Sequence, residues 1–140
     1  MTFKNLMCTA AGIMGAAISN LFGGWTGAMT TLIIVMGLDY ITGIIVAGVF
    51  HKSGKSKSGR LESNAGWKGL IKKGVTLTIV LVAYRIDLLI GTQYIKDAVI
   101  IAFCANEIIS IVENAGLMGI PVPEVIIKAI EVLKGNGEEE

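Results

Sequence analysis

No charged residue stands between Lys4 and Asp39, which leaves Asn5 to Leu38 as an uncharged run of 34 residues. Roughly 20 apolar residues carry a helix across a bilayer core, so this run is too long for one span and holds most of two. Charge is scarce throughout, at 16% of 140 residues, where soluble domains carry about 25%. The shortage falls in blocks, and blocks of that length are what a bilayer selects. Chemistry-bearing side chains are equally sparse. Cys8 and Cys104 both sit inside apolar segments and read as small packing residues, not as a disulfide or a reactive thiol. His51 stands alone at a segment end, and no Cys/His set has metal-ligand spacing. With no nucleophile–base pair and no metal set, the sequence argues against an enzyme and implies no cofactor and no metal.

What charge there is lies unevenly. The net charge is +1. Between His51 and Lys73 the cations Lys52, Lys55, Lys57, Arg60, Lys68, Lys72 and Lys73 face Glu62 alone, whereas Asp97 to Glu140 holds eight acids against Lys128 and Lys134. A basic patch can signal nucleic acid. Here apolar segments flank it, so attraction to anionic lipid headgroups and the positive-inside rule explain it without a nucleic-acid partner.

The segments follow from this patterning. The first span, about residues 6–22, is rich in small residues: Ala11, Gly12, Gly15, Ala16 and Ser19 pair at i,i+4. Such pairs let helix backbones approach closely in lipid, and Gly43 on the second span joins this candidate packing set. Residues 1–24 also fit the outline of a signal peptide, whose removal would leave the remaining topology unchanged. Gly23-Gly24-Trp25-Thr26-Gly27 is a turn with an interfacial tryptophan. A second span covers about 28–50. A basic, flexible loop covers 51–73, with Trp67, Lys68, Lys72 and Lys73 where the chain re-enters the bilayer. Third and fourth spans cover about 75–90 and 98–115. After the break at Gly119 to Pro123, residues 124–134 read as an amphipathic helix with Glu124 and Lys128 at i,i+4. Gly135-Asn136-Gly137 stops it, and Glu138 to Glu140 read as a solvated tail.

The expected fold is therefore all-α: one integral membrane domain of about four transmembrane helices in two hairpins, plus the short C-terminal helix. A three-span arrangement, with residues 6–22 on or outside the membrane, is the alternative. Lys/Arg bias keeps the basic loop in the cytoplasm, and two flanking hairpins place both termini there.

From Leu38 onward the chain resembles the holins of phages of Gram-positive bacteria, a family that includes clostridial toxin-release holins. Four pieces carry the resemblance in family order: Leu38-Asp39-Tyr40-Ile41-Thr42-Gly43; Gly66-Trp67-Lys68-Gly69 with Lys72-Lys73; Ala105-Asn106-Glu107 with Ser110-Ile111-Val112-Glu113-Asn114; and Gly119-Ile120-Pro121-Val122-Pro123. The Ser/Lys/Gly stretch at 53–60 is longer than usual for the family. The resemblance implies a protein that accumulates in the host cytoplasmic membrane, assembles as a homo-oligomer and opens lesions through which an endolysin or a toxin passes.

Asp39, Arg85, Asp87, Asn106 and Glu107 all lie within the expected spans. An isolated charge in hydrocarbon costs about 2.5–3.5 kcal/mol or more, so these groups must face protein or water. Asp39 lies 12 residues beyond Gly27, Arg85 six before Gly91 and Glu107 ten beyond Asp97, which at ~1.5 Å per residue gives depths of about 18, 9 and 15 Å. That arithmetic favours an Asp39–Arg85–Glu107 cluster with Asn106 beside it, and leaves Asp87 at the outer interface. Three roles for the cluster stand side by side: helix glue, the lining of a lesion after rearrangement, or a permanent ion or proton path. A membrane anchor for a partner protein is a further alternative, with the basic loop and the 124–134 helix as docking elements.

Overall fold

The computed structural model describes residues 2–135, and every regular element among them is a helix. Helix α1 covers Phe3–Leu21 and ends in a Schellman motif. The amide of Gly24 donates to the Ser19 carbonyl at 2.8 Å and that of Gly23 to Asn20 at 3.1 Å, with both glycines at positive φ. Gly23 is doubly constrained, because a Cβ there would collide with the Tyr84 ring. Thr26 then caps α2, Gly27–Ile45, by accepting from the Met29 amide. A π-helical turn, Val46–Phe50, continues α2 and closes on His51 in the left-handed region.

Helix α3 covers Ser63–Ile90, α4 covers Ile95–Leu117 and α5 covers Glu124–Gly135. A second Schellman motif closes α4 at Gly119, where Ile120 donates to Ala115 and Gly119 to Gly116. Pro121 and Pro123 follow it and keep the chain from continuing the helix. The expected tail, Glu138 to Glu140, and the Asn136-Gly137 stop lie outside the described residues.

Helix α4 is the centre of the packing. Both α2 and α3 lie chiefly on it, α2 and α3 touch each other little, and α5 folds back against it through Ile130. The core is small: Met29, Leu32, Met36, Val80 and Ile100, flanked by Phe22, Leu77, Phe103 and Cys104. Large apolar side chains cover the outside instead, among them Ile34, Ile41, Val75, Val82, Leu89 and Ile101. Meanwhile Asp39, Asp87, Lys96, Glu107 and Asn114 are buried. This polarity is inverted relative to a water-soluble domain, whose charged groups stay at the surface. No residue of helix α1 is fully buried.

One boundary differs markedly from that read in the sequence. The chain is helical from Ser63, so the expected loop 51–73 shrinks to 51–62, and Trp67, Lys68, Lys72 and Lys73 ride on α3. Tertiary contact explains the extension. Gly66 and Gly69 present a bare surface to the Tyr40 ring, and the Tyr40 hydroxyl donates to the Gly66 carbonyl at 3.3 Å. The shortened loop is also folded on itself: Ser53 donates to Gly59, Ser56 to Arg60 and Ser58 to the Glu62 carboxylate.

Among the described residues one segment, Gly27–Phe50, is long and apolar enough to be a membrane span by its own composition. The other long helices are more polar for identifiable reasons. Small residues, Lys4, Asn5 and Asn20 dilute α1, while α3 carries three lysines, Arg85 and Asp87, and α4 carries Asp97, Asn106, Glu107 and Glu113.

Candidate functional site: a buried ion triad under a basic cavity

Three helices each contribute one charge to a single point. The Lys73 ammonium of α3 donates to Asp39 Oδ2 of α2 at 2.8 Å and to Glu107 Oε2 of α4 at 2.7 Å. The side chains are 16%, 7% and 10% exposed, so this is a protected cluster. Asn114, two turns below Glu107 on the same face of α4, extends it. Its Nδ2 donates to Thr42 Oγ1 at 2.8 Å and lies 3.3 Å from Asp39 Oδ1. Thr42 in turn donates to the Asp39 carbonyl. Among the described residues no buried side-chain polar atom lacks a partner, the condition under which a low-dielectric network stabilises its surroundings.

Helix geometry accounts for the convergence. Buried residues of α4 recur as Lys96, Ile100, Glu107 and Asn114, a spacing of four and seven that keeps them on one stripe. On α2 the buried stripe is Met29, Leu32, Met36 and Asp39. Asp39 and Glu107 each lie 12 residues from the start of their helix, about 18 Å along it at ~1.5 Å per residue. Lys73 is 17 residues from the end of α3, about 26 Å at the same rise. Its flexible four-carbon stem makes up the difference.

Arg85 is not part of this cluster. It is exposed on α3 and forms no ion pair among the described residues. The depth arithmetic that favoured it works equally well for a lysine about 8 Å on the other side of Asp39, and Lys73 had been assigned to the headgroups. That assignment is corrected by the geometry: Lys73 points inward. Asn106 is exposed and lines the cavity beside Glu107 without joining the ion pairs. Asn114 was legible only as a polar residue two helical turns from Glu107.

Above the triad a cavity of about 470 Å³ opens between α2, α3 and the 51–62 loop. Lys55, Arg60, Lys68 and Lys72 line it, and Gly43 forms part of its wall. Lys52, Lys57 and Trp67 are exposed outside its lining. Ala11, Gly12, Gly15 and Ala16 lie exposed on α1, with Ser19 half-buried. Trp25 sits at the opposite end of the bundle, where its indole donates to Thr30 at 2.9 Å.

That opposite end holds a second polar knot. Asp87 caps α4 from α3, accepting from Thr92 Oγ1 at 2.5 Å, the Ile95 amide at 3.0 Å and the Lys96 amide at 2.8 Å. The Lys96 ammonium donates to the carbonyls of Phe22 and Gly24 and lies 5.5 Å from the centre of the Tyr84 ring. Asp87 is therefore a structural cap, and Lys96 ties the turn after α1 to the bundle.

A profile of the bacteriophage holin family matches residues 16–135. The chain belongs to that family. An uncharacterised protein of Halalkalibacterium halodurans is 36% identical over 94% of this chain and 96% of its own length. One from Clostridium perfringens is 35% identical over 94% of each chain. A probable holin of Bacillus phage phi105 is 28% identical over 77% of this chain and 75% of its own. No solved structure matches the chain significantly. Membership of the holin family makes this a protein of the cytoplasmic membrane associated with phage lysis, which accounts for the apolar exterior.

Proposed function

We propose that the chain acts as a holin in the full sense: it accumulates in the cytoplasmic membrane, self-associates and opens lesions that release an endolysin or a toxin. The observation that carries this reading is the inverted polarity. A bundle sheathed in apolar side chains holds Lys73, Asp39, Glu107 and Asn114 in its interior, where a rearrangement could turn them towards water. In this reading α1 to α4 all span the bilayer as two hairpins. Their lengths of 19 to 28 residues correspond to about 28–42 Å at ~1.5 Å per residue, enough for a hydrocarbon core of about 30 Å. The 51–62 loop and both termini are then cytoplasmic, with the lysines and Arg60 on the inner face.

The test is inducible expression in bacteria with and without a co-expressed endolysin, following membrane potential and lysis. Abrupt depolarisation after a delay, with lysis only when endolysin is present, is expected. A steady, ion-selective conductance would instead make the chain a channel, and no permeability change would make it an anchor. A cysteine at Ser56 should resist an impermeant thiol reagent in intact cells before depolarisation. Early labelling would refute the topology.

A further inference from the structure

The cavity holds more positive charge than the triad requires. Asp39, Lys73 and Glu107 together leave one negative charge. Lys55 offsets it, since its ammonium reaches to within 3.9 Å of where a Cβ on Gly43 would stand, one turn from Asp39. Glu62, another acid of the lining, accepts from the Ser58 hydroxyl at 2.8 Å. Against Glu62 stand Arg60, Lys68 and Lys72, so the lining keeps a net charge of +2. All three cations are exposed, line the cavity and form no ion pair among the described residues. The first turn of α3 borders the same space, and no side chain caps its amides. The positive end of a 28-residue helix therefore adds to the field there.

The walls are of a different character. Ile44, Ala47 and Leu61 give the cavity an apolar side. Ile44 and Leu61 are themselves exposed, so the apolar side reaches the mouth of the cavity. An anion-attracting recess with an apolar flank, at the level where a basic loop meets a membrane protein's helices, matches one kind of ligand.

We propose that this cavity binds a single anionic phospholipid, its phosphodiester held by Arg60, Lys68 and Lys72 and its acyl chains lying along Ile44 and Leu61. This goes beyond a diffuse attraction between basic residues and a charged bilayer, because it specifies one saturable lipid per chain. It requires only that the chain sit in a membrane and does not depend on lesion formation. Inorganic phosphate shares the headgroup chemistry but cannot use the apolar flank, and so distinguishes the two sources.

The full chain in detergent can be titrated with phosphatidylglycerol, phosphatidylcholine or inorganic phosphate and followed by native mass spectrometry. One saturable phosphatidylglycerol per chain is expected, with phosphatidylcholine much weaker and inorganic phosphate unable to displace the lipid. Replacing Arg60, Lys68 and Lys72 together by alanine should weaken binding about a hundredfold, about fivefold for each lost cation. The charge-conserving set Arg60→Lys, Lys68→Arg and Lys72→Arg should restore it. Ala65→Leu, at a half-buried position of the lining, keeps every charge and narrows the recess, so it should weaken the saturable lipid. Equal retention of phosphatidylcholine, undiminished binding to the alanine set or to Ala65→Leu, or displacement by inorganic phosphate would each overturn the inference.

Discussion

Replacing Lys73 by methionine tests the triad most directly. Methionine keeps an unbranched chain of similar reach and removes the charge. Asp39 and Glu107, with 7% and 10% of their side chains exposed, are then left without the cation that neutralised them. Removing one partner of a buried pair costs about 3–5 kcal/mol, chiefly because the other charge stays desolvated. The cavity above the triad admits some water, so the lower end, about 3 kcal/mol, is expected. A loss of that size lowers the folded-to-unfolded ratio by a factor on the order of a hundred. Thermal unfolding in detergent and the amount of protein accumulated in the membrane both read it. Converting the whole set to neutral groups, Asp39→Asn with Lys73→Met and Glu107→Gln, should recover most of the loss, because no charge then remains to be solvated. Arg85→Ala, at an exposed position without an ion pair, should stay within about 0.5 kcal/mol of the parent. The reasoning is refuted if Lys73→Met melts with the parent, or if the neutral triple variant is no more stable than the single one.

Two further expectations concern the rest of the chain. Gly15→Leu meets nothing within 4 Å in its own chain, so the helix content and melting of the monomer should be unchanged. Crosslinked oligomers should fall sharply if α1 packs against a second copy, and unchanged oligomers would make α1 a lipid-facing span only. Asp87→Ala should cost about 1–2 kcal/mol through loss of the cap on α4, with faster hydrogen exchange at the Ile95 and Lys96 amides. Exchange there no faster than in the parent would show that Asp87 does not hold that helix end.

Much of the architecture was legible because it rests on local chemistry. The Gly23–Gly27 turn and the break from Gly119 to Pro123 stand out in the sequence, and Gly23, Gly24 and Gly119 do adopt the positive φ that ends a helix, so the element order followed from the residues themselves. The start of α3 did not. Gly66, Gly69 and their polar or basic neighbours Ser63, Asn64, Lys68, Lys72 and Lys73 read as a loop, and the contact that favours a helix there is with Tyr40, 26 residues before Gly66. The site was half legible for a related reason. Depth along a helix can be counted, and it placed Asp39 and Glu107 at one level. Counting gives no rotation about the helix axis, so it could not separate Arg85, which faces outward, from Lys73, which faces in. Lysines beside a tryptophan also have a ready assignment to the headgroups, and that assignment concealed the cation the carboxylates needed.

The placement of Lys73 bears on where such a bundle is weakest. Helix α4 packs along both α2 and α3, whereas α2 and α3 meet over little apolar surface. Near its middle that seam is joined by the Lys73 ammonium and the Asp39 carboxylate, with the cavity directly beside them. Separating α2 from α3 therefore exposes few apolar contacts, and its main costs are the parting of one ion pair and the loss of the Tyr40 contact with Gly66 and Gly69. The ion-pair cost falls if water enters from the cavity, because hydration then replaces the lost partner for both charges. The α2–α4 and α3–α4 contacts are more extensive and contain the apolar core around Met29, Val80 and Ile100, so they resist parting. If the chain forms lesions as proposed, the α2–α3 seam is where the bundle is expected to open, with α4 as the common wall and the charges released by that movement turned to water.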